Sequence, residues 1–419
     1  MPKNVTHHMT FPDHTQSFWQ LGAIQAASFG LPDLVIGQQI VKNYDVGSAL
    51  FAIIVGNLIL WIIGLAIVAM SIRDKKKWHA IENAVEYLGK PAGVIAAIVL
   101  LLAILAWYSL QLQSSAVAVK ALIPNIDWLS IGTIAVVFGL VISVMAYGGI
   151  RLIKKVCVFS VPFLVLFCLY ATFISDHSVA LNGPWRLSLP AVSIVILINL
   201  PGMINLPTFF RHSRSRVDSF FALTIMTVFM MFFQATSIWI GIDNPKMIAD
   251  VSCTGLACIF YYIFAFIFLL LATTCINLVN IYFVSASLET LMKAHTNPRN
   301  YVAVGLIGTL VYLGAHYGAP VLFLENLVDN FIACLGIILL LALLTRIVVH
   351  HRPRTLDKLV SNSCWAIGCV SALITLIQTP NDPSHAFMIG SGMSVLSFIV
   401  AIFVEETIWA SRNLPKTSR

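Results

Sequence analysis

INLPGMINLP (198–207) lies in the middle of an apolar run long enough to cross a membrane. It holds two prolines, a glycine and two asparagines. Proline removes a helical hydrogen bond and crowds the preceding turn. A carbonyl freed this way in hydrocarbon is costly unless protein, water or a ligand satisfies it. A membrane helix therefore keeps such a stretch where it is buried in protein or lines a cavity.

The chain around it is made of similar runs. Its 419 residues are 59% hydrophobic and 10% charged, too little charge to cover a soluble surface. Apolar runs of about 20 residues mark membrane spans. Twelve are expected, at 18–41, 47–72, 91–121, 128–147, 155–175, 188–211, 218–242, 253–285, 300–317, 320–348, 359–378 and 384–410. Residues 1–17 read as a cytoplasmic tail without the layout of a signal peptide. Residues 411–419 read as a second cytoplasmic tail.

The net charge is +7. Its distribution excludes a nucleic-acid partner as the explanation. With the N-terminus inside, all of the 25 Lys and Arg except Lys42, Lys120, Arg186 and Lys246 fall on the cytoplasmic side. That is the positive-inside bias, and it supports an even span count with both termini cytoplasmic. The expected location is the plasma (inner) membrane. The eight cysteines are scattered without zinc-ligand spacing and read as small apolar side chains. No HExxH motif and no clustered catalytic set occurs, so an enzyme is not expected.

Span 1 carries an interruption like that of span 6: SFGLPDLVIG (28–37), with Gly30, Pro32 and a charged Asp33. Matching breaks five spans apart point to a duplicated unit, 18–175 and 188–348, with 359–410 outside the repeat. Five is odd, so the second unit enters the membrane inverted, with the broken helices 1 and 6 meeting at the midplane. Backbone opened at 29–33 and 199–207 would offer polar groups to a ligand. Ser28, Asn199 and Gly202 are then candidate substrate contacts, and Phe29 a candidate cation contact. Two packed proline kinks are the competing reading.

WYSLQLQSS (107–115) sets Trp107, Gln111 and Ser114 on one helical face. A flat aromatic one turn from an amide suits a planar heterocycle: the ring stacks and the amide reads its edge. A packing seam between helices would use the same residues. TTCINLVN (273–280) sets Thr273, Asn277 and Asn280 on one face with Thr274 beside it. Threonine hydroxyls are hard donors for a small cation, and asparagines could hold substrate. Inter-helix hydrogen bonding is the plainer alternative. Acids within spans are rarer. Asp33 is a candidate coupling residue or a first-turn helix acid. Glu325 and Asp329 in ENLVDN (325–330) share a face; Glu325 reads as reaching headgroups, and Asp329 sits deeper. KKKWHAIENAVEYLGKP (75–91) has Trp78, Ile81, Val85 and Leu88 at helical spacing, a short interfacial helix.

IVGNLILWIIG (54–64), AWYSLQ (106–111), MAYGGIRLIKKVCVFSVP (145–162) and NLPTFFRHSR (205–214) together resemble the nucleobase:cation symporter-1 family, the cytosine, purine, allantoin and hydantoin permeases. The likeness covers roughly residues 20–290. It implies an all-α, leucine-transporter-type fold of the APC superfamily, with 12 transmembrane helices, a midplane substrate site and a coupling cation, H+ or Na+. By position, Trp107 would stack on the substrate and Gln111 would hydrogen-bond it. Helix 1 carbonyls with Thr273 and Thr274 would hold the cation, and Asn277 or Asn280 would match a substrate asparagine. The chain departs from the pattern at three places. Asn199 stands where some members have a second stacking Trp, Thr345 where helix 10 has an acid, and Asp33 is unusual in helix 1.

The expectation is a cation-coupled importer of a nucleobase or similar heterocycle, a monomer in the lipid bilayer without a further cofactor. An amino acid or amine transporter with Asp33 pairing the ammonium is the first alternative, and a non-transporting sensor the second.

Overall fold

Helices account for nearly all of the structure, and their ends follow local sequence. The computed structural model describes residues 16–72, 80–126, 128–175, 183–242, 244–251, 253–292, 298–318, 321–348 and 354–413. In chain order the helices are α1 (Phe18–Val41), α2 (Val46–Ile72), α3 (Ala80–Leu88), α4 (Lys90–Leu122), α5 (Ile131–Met145), α6 (Gly149–Ile174) and α7 (Leu189–Asn205). The one-turn α8 (Pro207–Phe210) follows, then α9 (Arg216–Ile240), α10 (Gly255–Met292), α11 (Pro298–His316), α12 (Val321–Val348), α13 (Arg354–Gln378) and α14 (Pro383–Asn413). Ser130 and Ser215 cap the starts of α5 and α9 by accepting from Thr133 N and Asp218 N at 3.1 and 3.0 Å. Pro91 and Pro190 occupy the first turns of α4 and α7, where a missing N–H costs nothing.

Each expected span finds a helix, with α7 and α8 together forming span 6. Nine helices among the described residues are long and apolar enough to cross a membrane by length and composition, one of them running through α5 and α6. The chain is a multi-pass membrane protein. α1 falls short of that apolarity because it carries Gln20, Gln25, Asp33, Gln38 and Gln39. Its polar residues are tolerable because it is enclosed by protein, with Gln25 and Asp33 buried. Large apolar side chains such as Leu58, Phe173 and Phe403 are exposed on the outside of the bundle, where lipid takes them.

The packing partners carry the signature of the repeat. α1 (span 1) packs on α9 (span 7), and its counterpart five spans on, α7 (span 6), packs on α2 (span 2). α1 also packs on α6, and α7 on α12; α4 packs on α12, and α10 on α6. α4 meets α10, and α5 meets α11, each pair being its own counterpart. Exchanging the two sets of five spans maps these contacts onto one another, while the packing of α1 on α10 has no comparable counterpart between α7 and α4. α13 and α14 pack on each other and on α12, outside the exchange.

The interruptions differ in form from the expectation. α1 is one continuous helix with Pro32 inside it. α7 likewise runs through Pro201 and Gly202 to Asn205, and the break falls at Leu206, where the turn tightens as Leu206 N donates to Met203 O at 3.2 Å. The backbone at 29–33 and 199–205 is therefore not unwound. Each proline instead removes the helical donor to the carbonyl four residues earlier, that of Ser28 and that of Leu197. Asn199 and Asn205 turn their side-chain N–H groups back onto Val195 O and Pro201 O at 3.0 Å each, while Asn199 Oδ1 stays buried without a partner.

One smaller expectation also changes. Cys253 and Cys258 form a disulfide, so they are not simple apolar fillers; their Cα atoms are 5.1 Å apart across a loop-to-helix turn. The short helix expected at 75–91 is described as α3, and its buried face, with Ile81, Ala84, Tyr87 and Leu88, packs against α4 and α13. Trp78, residues 1–15 and residues 414–419 lie outside the described residues.

Candidate functional site

α1, α4, α7 and α10 converge on a central cavity of about 50 Å3. α1 contributes Gln25, Ser28 and Phe29, which recur at i, i+3 and i+4 and so share a face. α4 contributes Ile104 and Trp107, α7 contributes Pro201, Gly202 and Asn205, and α10 contributes Ile276, Asn280 and Phe283. Gly202 is a glycine for a steric reason: a Cβ there would come within 2.8 Å of Phe29 Cζ. The ring of Phe29 thus lies against the backbone of α7.

The walls are mostly apolar and aromatic, and the polar groups among them are unevenly satisfied. Ser28 donates to Gln25 O at 2.7 Å and is occupied by its own helix. Gln25 Nε2 and Asn280 Nδ2 are buried and have no hydrogen-bond partner. An unpaired buried amide donor costs about 1–3 kcal/mol, so two of them at one cavity are a stored demand for acceptors.

Trp107 also forms the wall of a second cavity, of about 290 Å3, bounded by Leu31, Gln111, Ser114, Glu325, Asp329 and residues around them. Its indole Nε1 donates to both carboxylate oxygens of Asp329, at 2.9 and 3.1 Å. This fixes the plane of the indole between the two cavities. Gln111 and Ser114 do share the face of Trp107, but they open on the second cavity and not on the central one.

The other candidates are distributed as follows. Asn199 and Asn277 are buried away from the central cavity, and both side-chain atoms of Asn277 are unpartnered. Thr273 donates to Ser115 Oγ of α4 at 2.5 Å and to Leu269 O of its own helix; Thr274 donates to Leu270 O. Their hydroxyls are taken up by packing, so the expected face of α10 is split between a seam and the cavity. Asp33 has a different partner from the one expected. Its Oδ1 accepts from Gln234 Nε2 of α9 at 2.7 Å, and Gln234 Oε1 accepts from Asn57 Nδ2 of α2 at 2.6 Å. Asp33 Oδ2 is buried without a partner, and neither Asp33, Glu325 nor Asp329 has an ion-pair partner among the described residues. Asp33 lines neither cavity. Thr345 simply bonds Leu341 O at 2.8 Å.

Gln25 and Asn205 were not among the expected site residues. Gln25 was within reach of the sequence, being a polar residue in span 1 one turn before Ser28. Asn205 sits inside INLPGMINLP itself. The pairing of Trp107 with Asp329, 222 residues apart, carried no local signal.

No protein-family model matches the chain, and no curated protein sequence matches it. Solved structures do. The fold is a transporter fold. Mhp1, a nucleobase-cation-symport-1 family transporter solved in a closed conformation with bromovinylhydantoin bound, is 17% identical, with a TM-score of 0.65 over 98% of this chain and 96% of that one. A Na+-coupled sialic acid symporter in a substrate-bound outward-open state is 14% identical, with a TM-score of 0.64 over 96% and 93%. A manganese transporter of Eremococcus coleocola is 14% identical, with a TM-score of 0.60 over 98% and 96%. These are likenesses of fold, and they bear out the resemblance and the leucine-transporter-type architecture read from the sequence.

Proposed function

We propose that this chain is a secondary transporter that carries a neutral, planar nitrogen heterocycle of nucleobase type through the central cavity, in symport with a cation. The observation that carries the reading is a cavity walled by Trp107, Phe29 and Phe283 whose polar lining includes the amides of Gln25 and Asn280, each with an unpartnered nitrogen. A flat ring stacks on such walls, and ring carbonyls or ring nitrogens supply the missing acceptors. Mhp1 was solved with bromovinylhydantoin, a ring of that chemistry, which supports the reading. A cavity of about 50 Å3 has room for only a few waters, so loading a ring requires the helices around it to part, as alternating access does.

The cation is H+ or Na+. Asp33 Oδ2, buried and unpartnered, is the candidate proton acceptor, and it would act through Gln234 and Asn57 without touching the substrate. The amine reading loses its support, because Asp33 is away from the central cavity and already bonded to Gln234.

Uptake into proteoliposomes tests the reading. Labelled cytosine, uracil, hypoxanthine, allantoin and a panel of amino acids are offered with an imposed proton or sodium gradient. Gradient-driven accumulation of at least one heterocycle is expected. Accumulation of amino acids alone would overturn the substrate class, and no accumulation of anything, with ligand binding intact, would favour a sensor.

A further inference from the structure

The two asparagines of INLPGMINLP form the same local bond and meet different surroundings. Each donates its side-chain N–H to the carbonyl four residues earlier, Asn199 to Val195 O and Asn205 to Pro201 O. That bond fixes the sense of each amide, because turning it round would set oxygen against oxygen. The oxygens left over then differ. Asn199 Oδ1 is sealed inside the protein. Asn205 shares one face of α7 with Ile198, Pro201 and Gly202, and this face is a wall of the central cavity. Asn205 Oδ1 is not sealed off, and it has no donor among the described residues.

The wall of the cavity does not supply that donor. The indole N–H of Trp107 is spent on Asp329, and the Ser28 hydroxyl on Gln25 O. The amide nitrogens of Gln25 and Asn280 have no partner, so neither of them bonds Asn205. The remaining lining side chains are apolar. An acceptor held on such a wall is satisfied by the occupant or bears the cost of lost hydration. We propose that Asn205 is a specificity-determining residue that reads a ring N–H of the transported heterocycle, so that the substrate class is a ring with a free N–H directed at α7, and a ring alkylated at that nitrogen is rejected. The proposal rests on the heterocycle reading above and names the part of the ring that decides selection. Asn205 is the only polar side chain that α7 brings to the cavity among the described residues. It is also the last residue of α7, directly before the break at Leu206, so the contact joins the substrate to the one place where that helix is interrupted.

Equilibrium dialysis of the full-length protein in detergent tests it, with labelled uracil and labelled hypoxanthine in parallel. Uracil methylated at N1 or at N3 competes for the first, and hypoxanthine methylated at N1 or at N9 for the second. Within each pair the same methyl group blocks one N–H or the other. For a ring that binds, one member of its pair should compete about tenfold more weakly than the other, having lost the N–H that Asn205 reads. Asn205→Leu should bring the two members within about twofold of each other and weaken the unmethylated ring by about tenfold. If Asn205→Leu does not fold, Asn205→Ala removes the same oxygen and should act in the same direction. A substitution that weakens both members alike and keeps their ratio would mark Asn205 as structural and overturn the proposal. Equal competition by the two members in the native protein would also overturn it. Absence of binding by both uracil and hypoxanthine would overturn the heterocycle reading itself, and the role of Asn205 with it, a result distinct from binding that ignores the methyl position.

Discussion

Two buried acids, Asp33 on α1 and Asp329 on α12, have opposite surroundings. Asp33 is 0% exposed, lines no cavity and is held by Gln234, itself held by Asn57. Asp329 stands on a cavity wall and fixes a side chain that borders two cavities. Around Asp33 the helices are nearly in contact: a Cβ on Gly37, one turn on, would meet Gln234 O at 1.9 Å. Around Asp329 there is space. Burial of a carboxylate therefore does not by itself mark a ligand site. The acid that meets empty volume and an aromatic partner is the one that can act on a ligand directly, whereas the acid in a sealed seam can act only through its helix partners.

The comparison can be broken first at Gly37. Gly37→Ala puts a methyl carbon against a backbone oxygen that cannot move away, so α1 and α9 must separate. A cost of about 3 kcal/mol is expected, at the upper end of ordinary overpacking. Thermal unfolding in detergent should show a clear fall in midpoint; an unchanged midpoint would mean the seam is looser than its geometry.

Next comes Trp107. Trp107→Ala should weaken heterocycle binding by about 5- to 150-fold, the equivalent of about 1–3 kcal/mol of stacking. Trp107→Phe separates the ring from its N–H. It should keep much of the binding while leaving the Asp329 carboxylate without its donor, at a stability cost of about 1.5–3 kcal/mol. Titration calorimetry and unfolding on the two variants read these effects apart. If Trp107→Ala binds as the native protein does, the indole is not a wall of the substrate site.

The smallest effect on fold and affinity should come from Asp33→Asn. The amide retains an oxygen for Gln234, so stability should change by about 1 kcal/mol or less. Substrate affinity should be unaltered, since Asp33 lines neither cavity. If Asp33 carries the coupling proton, uphill accumulation disappears while downhill exchange persists. Full proton-driven accumulation by this variant would return Asp33 to a purely structural part.

Much of the fold was legible because apolar length and charge asymmetry are properties of each span by itself. The match between SFGLPDLVIG and INLPGMINLP exposed the repeat because duplicated units keep their irregularities in corresponding positions. The form of those irregularities was not legible. Proline was expected to unwind α1 and α7, yet tight packing on α9 and α2 holds both helical. Of the expected site residues, Ser28, Phe29, Trp107, Gly202 and Asn280 converge on one cavity. Thr273 and Thr274 do not, because a hydroxyl in a helix is as readily satisfied by the carbonyl four residues back as by an ion. Nothing in the local pattern distinguishes these two fates.

The relay from Asn57 through Gln234 to Asp33 has a mechanical consequence. It ties α2, α9 and α1 together at mid-depth, and α7 is joined to the same group by a second close approach, Gly56 of α2 against Val195. These contacts hold the four helices together as one packed group. Gln25 and Gly202 stand on that group, and Trp107 and Asn280 on helices beyond it. A ligand bound in the central cavity would touch both sides at once and so act as a strut between the clamped group and the helices beyond it.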